Sequence, residues 1–176
     1  IGKVNAAICT QILADCYHVD EVINTGVAGS LDAEINIGDI VISTDAVHHD
    51  MDVSALGDPV GQVPRMDVFA FPADKELAEK AMQANKKANP EIRTFMGRVA
   101  SGDQFISKKE VKDRIVENFQ AKCTEMEAAA IAQTCYKFGT SFIITRSLSD
   151  VFGKGDSSVQ FDEYLKKASI ASAKMC

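Results

Sequence analysis

No stretch of this chain approaches the ~20 consecutive apolar residues that a membrane-spanning helix needs. Basic residues are also short: 19 lysines and arginines stand against 25 aspartates and glutamates, a formal net charge of -6. Nucleic-acid binders carry a basic face, and this balance runs the other way. Cysteine is sparse and unpatterned. The five residues, Cys9, Cys16, Cys123, Cys135 and Cys176, form no CxxC and are odd in number, which argues against a disulfide framework or a zinc site and fits a reducing cytoplasm. Repeats, low-complexity tracts and linker-like segments are missing too, so no internal domain boundary is visible. The first residue is Ile1 rather than methionine, and the text opens directly in a helical pattern. The chain therefore reads as a fragment of a single domain (residues 1–176), with a signal peptide left open.

What is present suits a soluble globular domain: 176 residues, 46% hydrophobic and 25% charged, enough to bury a substantial core. Ile1, Val4, Ile8, Ile12 and Cys16 recur at helical spacing, and Cys9 and Cys16 are expected as small core residues. Glu21-Val22-Ile23-Asn24 reads as a short strand entering a tight turn with two glycines, Thr25 to Ser30, where backbone N–H groups could approach a ligand. Ile40-Val41-Ile42-Ser43 is a strand, and residues 50–72 form a long loop of the kind that is usually functional or interfacial. A helix capped by Asp74 runs to Ala88, a strand covers Thr94 to Ser101, and a charged helix with a solvated face covers Lys108 to Asn118. An Ala-rich helix from Ala128 to Phe138 ends at Gly139, a strand covers Phe142 to Thr145, and a last helix runs from Phe161 to Lys174. Strands alternating with helices predict an α/β fold, a three-layer α/β/α sandwich around a mixed, largely parallel sheet.

Two stretches carry chemistry. Arg146, Ser149 and Asp150 follow the apolar run at 142–145, and Glu125 and Glu127 stand where a short strand turns into the Ala-rich helix. Charged groups at the carboxyl ends of strands are where α/β sheets place their ligand crevice. The same residues also have a structural reading. Glu125 and Glu127 can complement the positive end of the helix, Arg146 can pair with one of them, and Asp150 can cap a turn. His48-His49-Asp50 resembles a metal cluster only superficially, because adjacent residues point apart in a strand, and no metal site is expected.

Taken in order, Asn24-Thr25-Gly26-Val27-Ala28-Gly29, Gly38-Asp39-Ile40-Val41, Ser101-Gly102-Asp103, Glu125-Met126-Glu127-Ala128 and Arg146-Ser147-Leu148-Ser149-Asp150 resemble the purine nucleoside phosphorylase superfamily. Within it they are most similar to the bacterial 5′-methylthioadenosine/S-adenosylhomocysteine nucleosidases. The resemblance implies an N-glycosyl hydrolase that uses no cofactor and no metal. It makes Asp150 the acid that protonates the purine, with Ser149 orienting it, and makes burial the means of keeping that acid protonated. Glu127 would grip the ribose hydroxyls over Met126, and Arg146 would join the polar network around the attacking water. Phe105 would stack on the base, the Ile106 backbone would read its edge, and Phe161 would lie near the 5′-alkylthio tail. Glu125 and the turn residues Val27, Ala28 and Gly29 would complete the substrate contacts. Val53, Leu56 and Pro64, on the loop at 50–66, would reach into the pocket of a second copy, making a homodimer.

One departure stands out. The family's water-activating glutamate lies on a first strand that has no counterpart here, and the C-terminal helix stops early at Cys176. The 176-residue piece is accordingly expected neither to hydrolyse nucleosides nor to fold well alone. A phosphorylase of the same superfamily and a catalytically silent nucleoside binder are the competing readings.

Overall fold

β-Branched runs and small residues set the frame, and charged segments cover it. The computed structural model describes residues 1–150, 152, 164–165, 168–171 and 173–174. Along the chain come α1 (Lys3–Cys16), β1 (Glu21–Ser30), β2 (Ile40–His48), β3 (Phe71–Pro72), α2 (Lys75–Ala88), β4 (Thr94–Ser101), α3 (Lys109–Phe119), β5 (Cys123–Glu125), α4 (Ala128–Phe138) and β6 (Ser141–Leu148). The expected helices up to α4 are met within a few residues, whereas β1 runs through the expected turn to Ser30, β2 runs on to His48, and the short β3 lies at the end of the expected loop. Of the last helix, the described residues from Tyr164 to Lys174 are helical, and Phe161 lies outside the described residues.

The long pairings are parallel, β1 with β6, β2 with β4 and β4 with β5, and short antiparallel ones join β1 to β5 and β2 to β3. A further antiparallel pairing sets Ile40, Val41 and Ile42 of β2 opposite Ser147, Arg146 and Thr145 of β6. That contact closes the sheet on itself, where the sequence suggested one open layer inside a sandwich. The reason lies in β2, whose register shifts between Ser43 and Ala46. Such an irregularity bends a strand and increases its twist, so one edge of β2 serves β6 first and β3 afterwards. The mixed α/β character stands.

Successive β2 residues feed different cores, as the two-residue period of a strand requires. Val41 and Ala46 pack with Ala128, Ala129, Ala132 and Cys135 of α4, whereas Ile40 and Ile42 pack with Leu77 and Ala78 of α2. The Asp74 side chain caps α2 by accepting the Leu77 N–H at 3.0 Å, and Gly139 ends α4 in the left-handed conformation, as expected.

Two expectations are corrected. The stripe Val4, Ile8, Ile12 faces outward, with Val4 69% and Ile8 54% exposed, and Cys9 and Cys16 are exposed as well. Thr10 and Ala14 are the buried residues of α1, and Ala6 packs against the α4 cluster. Small side chains let two helices approach closely, so α1 turns its alanine face rather than its isoleucine face to α4. Gly26 and Gly29 do not form a turn: they lie inside β1, and neither has positive φ. An added Cβ would make only ordinary van der Waals contact, 3.6 Å from the Arg146 guanidinium at Gly26 and 3.6 Å from both Asp150 oxygens at Gly29, so both glycines lie directly against the charged groups of the site.

Candidate active site

The parallel register of β1 on β6 puts Gly26 beside Arg146 and Ala28 beside Leu148, so both strands deliver their carboxyl ends to one place. β5 joins there from the other side of β1, with Gly29 opposite Thr124. The resulting cleft has a volume of about 480 Å³. Of the site residues expected from the sequence, Val27, Ala28, Gly29, Phe105, Ile106, Glu125, Met126, Glu127, Arg146, Ser149 and Asp150 all line it. Val53, Leu56 and Pro64 do not. Leu56 lies on a turn of 3₁₀ helix (Ser54–Leu56) and is 84% exposed. The lining also includes Asn24, Thr25, Gln104 and Thr124.

Glu125 organises one side. Its carboxylate accepts the N–H groups of Glu127 at 3.0 Å and Ala128 at 2.9 Å, so it sits on the positive end of α4. Ser101 donates its hydroxyl to the same group, and Arg146 Nη2 stands 2.8 Å away, with both charged side chains almost fully buried. The contacts that the structural reading gave Glu125 are thus present, in a residue that also lines the cleft. Arg146 also donates to the Asn24 side chain and to the carbonyls of Asn24 and Thr145. Its polar fork is committed on several sides. Glu127 points elsewhere: its Oε1 accepts the Gly2 N–H at 2.8 Å, tying the start of α1 to the rim.

Asp150 forms the other side. One oxygen accepts the Ser30 N–H at 2.6 Å and the other faces Lys112 Nζ at 2.6 Å, in a salt bridge whose side chains are only 3% and 2% exposed. Two expectations change here. Ser149 donates its hydroxyl to the Ala28 carbonyl, so Asp150 is oriented by Ser30 and Lys112 instead. The charges of α3 are not all solvated, because Lys112 is buried with Ile115 and Phe119 on the apolar face. The spacing 112, 115, 119 was the available signal: it sets a lysine in a row of core residues. Behind the site, burial pushes the Cys123 thiol well up, reinforced by Glu125 and opposed by Arg146.

Outside the cleft lining, His48 ends β2 and His49 follows it. Burial lowers both imidazoles below the ordinary range, against the bond that His48 Nε2 donates to Gln133 Oε1 and the charge of Asp50 at His49. Gly102 makes room for His49, since a Cβ there would meet the ring. Burial would raise Asp50, but Lys3 and the Asp103 N–H outweigh it and hold its carboxyl below the usual range. A depressed imidazole takes up protons more readily in the unfolded chain. Its contribution is full above about pH 6.5 and is lost as pH falls from there toward the lowered folded value. We expect the melting temperature to drop on acidification through about pH 6.5 to 5, before carboxylates titrate, and a His48→Asn, His49→Asn variant to flatten that slope. An unchanged slope would exclude the two rings as its source.

Nothing in the arrangement resembles a metal cage: among the described residues no group of three histidines, cysteines, aspartates or glutamates could hold an ion. What the cleft offers is a buried carboxyl on one side, a second carboxylate on the other, and apolar and aromatic groups between. That suits a flat, polar organic molecule with two chemically different ends.

Residues 1–176 match the family model of the phosphorylase superfamily, and the chain belongs to that superfamily. Among its relatives is the 5′-methylthioadenosine/S-adenosylhomocysteine nucleosidase of Staphylococcus carnosus, 43% identical over 176 residues, covering 99% of this chain and 75% of the relative. The Neisseria meningitidis nucleosidase of the same name, solved with methylthio-immucillin-A, superposes with a TM-score of 0.93 at 43% identity over 99% of this chain and 75% of that one. The futalosine hydrolase of Helicobacter pylori reaches 0.92 at 34% identity, over 99% and 73%.

Proposed function

We propose that this protein hydrolyses the N-glycosidic bond of 5′-methylthioadenosine and S-adenosylhomocysteine, releasing adenine and the 5-thio-substituted ribose. Asp150 is the acid on the base, and Glu127 holds the ribose hydroxyls above Met126. Phe105 and Ile106 take the purine, and Val27, Ala28, Gly29 and Ser149 shape the wall between base and sugar. Breaking the bond leaves an oxocarbenium-like sugar, which anionic neighbours stabilise.

The observation that favours hydrolysis over phosphorolysis is the commitment of Arg146 to Glu125 and Asn24. A dianion in a desolvated site needs charge-assisted donors, and arginine supplies them best. Here the guanidinium is engaged, and Asn24 and Val27, at the positions where the resemblance to the superfamily's phosphorylases would put a phosphate-binding arginine and serine, supply neither a cation nor a hydroxyl. Adenine release by the full-length protein should proceed at the same rate with and without millimolar phosphate. Recovery of a ribose-1-phosphate would place the protein on the phosphorylase branch. Because a futalosine hydrolase shares the fold so closely, futalosine belongs in the same substrate panel.

Val53, Leu56 and Pro64 support a homodimer in which this loop closes the alkylthio end of the neighbour's pocket, since an exposed apolar side chain such as Leu56 suits a partner surface. A full-length protein that sediments as a monomer at micromolar concentration, yet is fully active, would exclude that assembly. Cysteine usage favours a reducing cytoplasm, and among the described residues no helix is long and apolar enough to cross a membrane.

A further inference from the structure

Lys112 is the unexplained charge of the site. It stands on α3 between core residues, 3% exposed, with its ammonium 2.6 Å from Asp150 Oδ2. An ammonium taken out of water is costly, and an apolar residue of similar volume is often as stable in such a place. Packing alone therefore gives little reason for a lysine here. The other Asp150 oxygen is held by the Ser30 N–H at 2.6 Å, so the carboxyl plane is fixed from both sides at the floor of the cleft.

We propose that Lys112 is the positioning residue of the leaving-group acid, an inference that rests on the nucleosidase reading. As the glycosidic bond breaks, its electron pair departs with the base, and the proton that Asp150 takes up from solvent before that step moves from its carboxyl to the base's ring nitrogen. The carboxylate left behind faces the Lys112 ammonium, which stabilises the charge as it develops, and Ser30 and Lys112 together keep the acid aimed. Water adds to the sugar carbon, its released proton goes to solvent, and Asp150 is reprotonated from solvent once the product has left. Lys112 touches neither base nor sugar in this scheme and acts through Asp150.

Two substrates separate this role from a structural one. Adenine must be protonated to leave, whereas 4-nitrophenolate leaves without help. In Lys112→Met, kcat for adenine release from 5′-methylthioadenosine should fall about a hundredfold, the lower end of general-acid effects, with KM little changed. Release of 4-nitrophenolate from 4-nitrophenyl 5-methylthioriboside should persist nearly unaltered. Lys112→Arg, which keeps a cation, should retain most adenine release. Equal losses on both substrates, no loss on methylthioadenosine, or an arginine variant as poor as the methionine one would overturn the proposal. A wild-type protein that releases nitrophenolate but no adenine would overturn the nucleosidase reading itself, before any substitution is compared.

Discussion

In the full-length protein, replacing Asp150 by asparagine should lower adenine release by a hundredfold to ten-thousandfold, the range that general acid catalysis supplies. Asparagine preserves shape but has no proton to give. It also cannot satisfy both neighbours, because Ser30 N–H and Lys112 Nζ are both donors and an amide presents only one acceptor oxygen. The loss should fall on kcat more than on KM, since the proton moves in the transition state. Turnover near wild type in Asp150→Asn would reduce Asp150 to a structural anchor and leave the cleft without an acid on that side.

The second large effect concerns stability. Arg146→Met removes the guanidinium and leaves Glu125 a buried charge, its side chain only 4% exposed. Breaking a buried pair from one side costs about 3–5 kcal/mol. The N–H groups of Glu127 and Ala128 and the Ser101 hydroxyl still donate to Glu125, which places the loss toward the lower figure. In urea, where m is about 1–3 kcal/mol/M, the midpoint should fall by about 1 M or more. Adding Glu125→Gln to Arg146→Met should restore part of it, because the stranded charge is then gone. An unchanged midpoint in the single variant would mean that the pair contributes no net stability.

The sheet order shows where sequence reading reaches its limit. The runs at 40–43 and 142–145 announce strands by their β-branched residues, and β2 and β6 follow. That these two also pair with each other, closing the sheet, depends on a register shift at Ser43 to Ala46 that no local pattern encodes. The helix α1 shows the same limit from another side. Ile8 and Ile12 have the spacing of a core face, yet the buried side is the one with Thr10 and Ala14. Periodicity identifies an amphipathic helix but not what it packs against, and the small residues of α4 select a small-residue face.

The sequence by itself determined the alternation of strands and helices, the caps at Asp74 and Gly139, and the residues gathered at the strand ends, since each follows from side-chain chemistry over a few positions. The ordered motifs likewise determined the superfamily. The tertiary structure decided which of the candidate charges meet, since the sequence left Arg146 a choice between Glu125 and Glu127 and gave Lys112 no partner. Glu125 takes the N-terminus of α4 and Arg146, Asn24 engages the same guanidinium from β1, and Lys112 crosses from α3 to Asp150. Glu125 reaches the N-terminus of α4 locally, but Arg146 meets Glu125 and Asn24, and Lys112 meets Asp150, across 21 to 122 residues of chain. A buried charge is tolerated only where folding brings its counter-charge within hydrogen-bond reach.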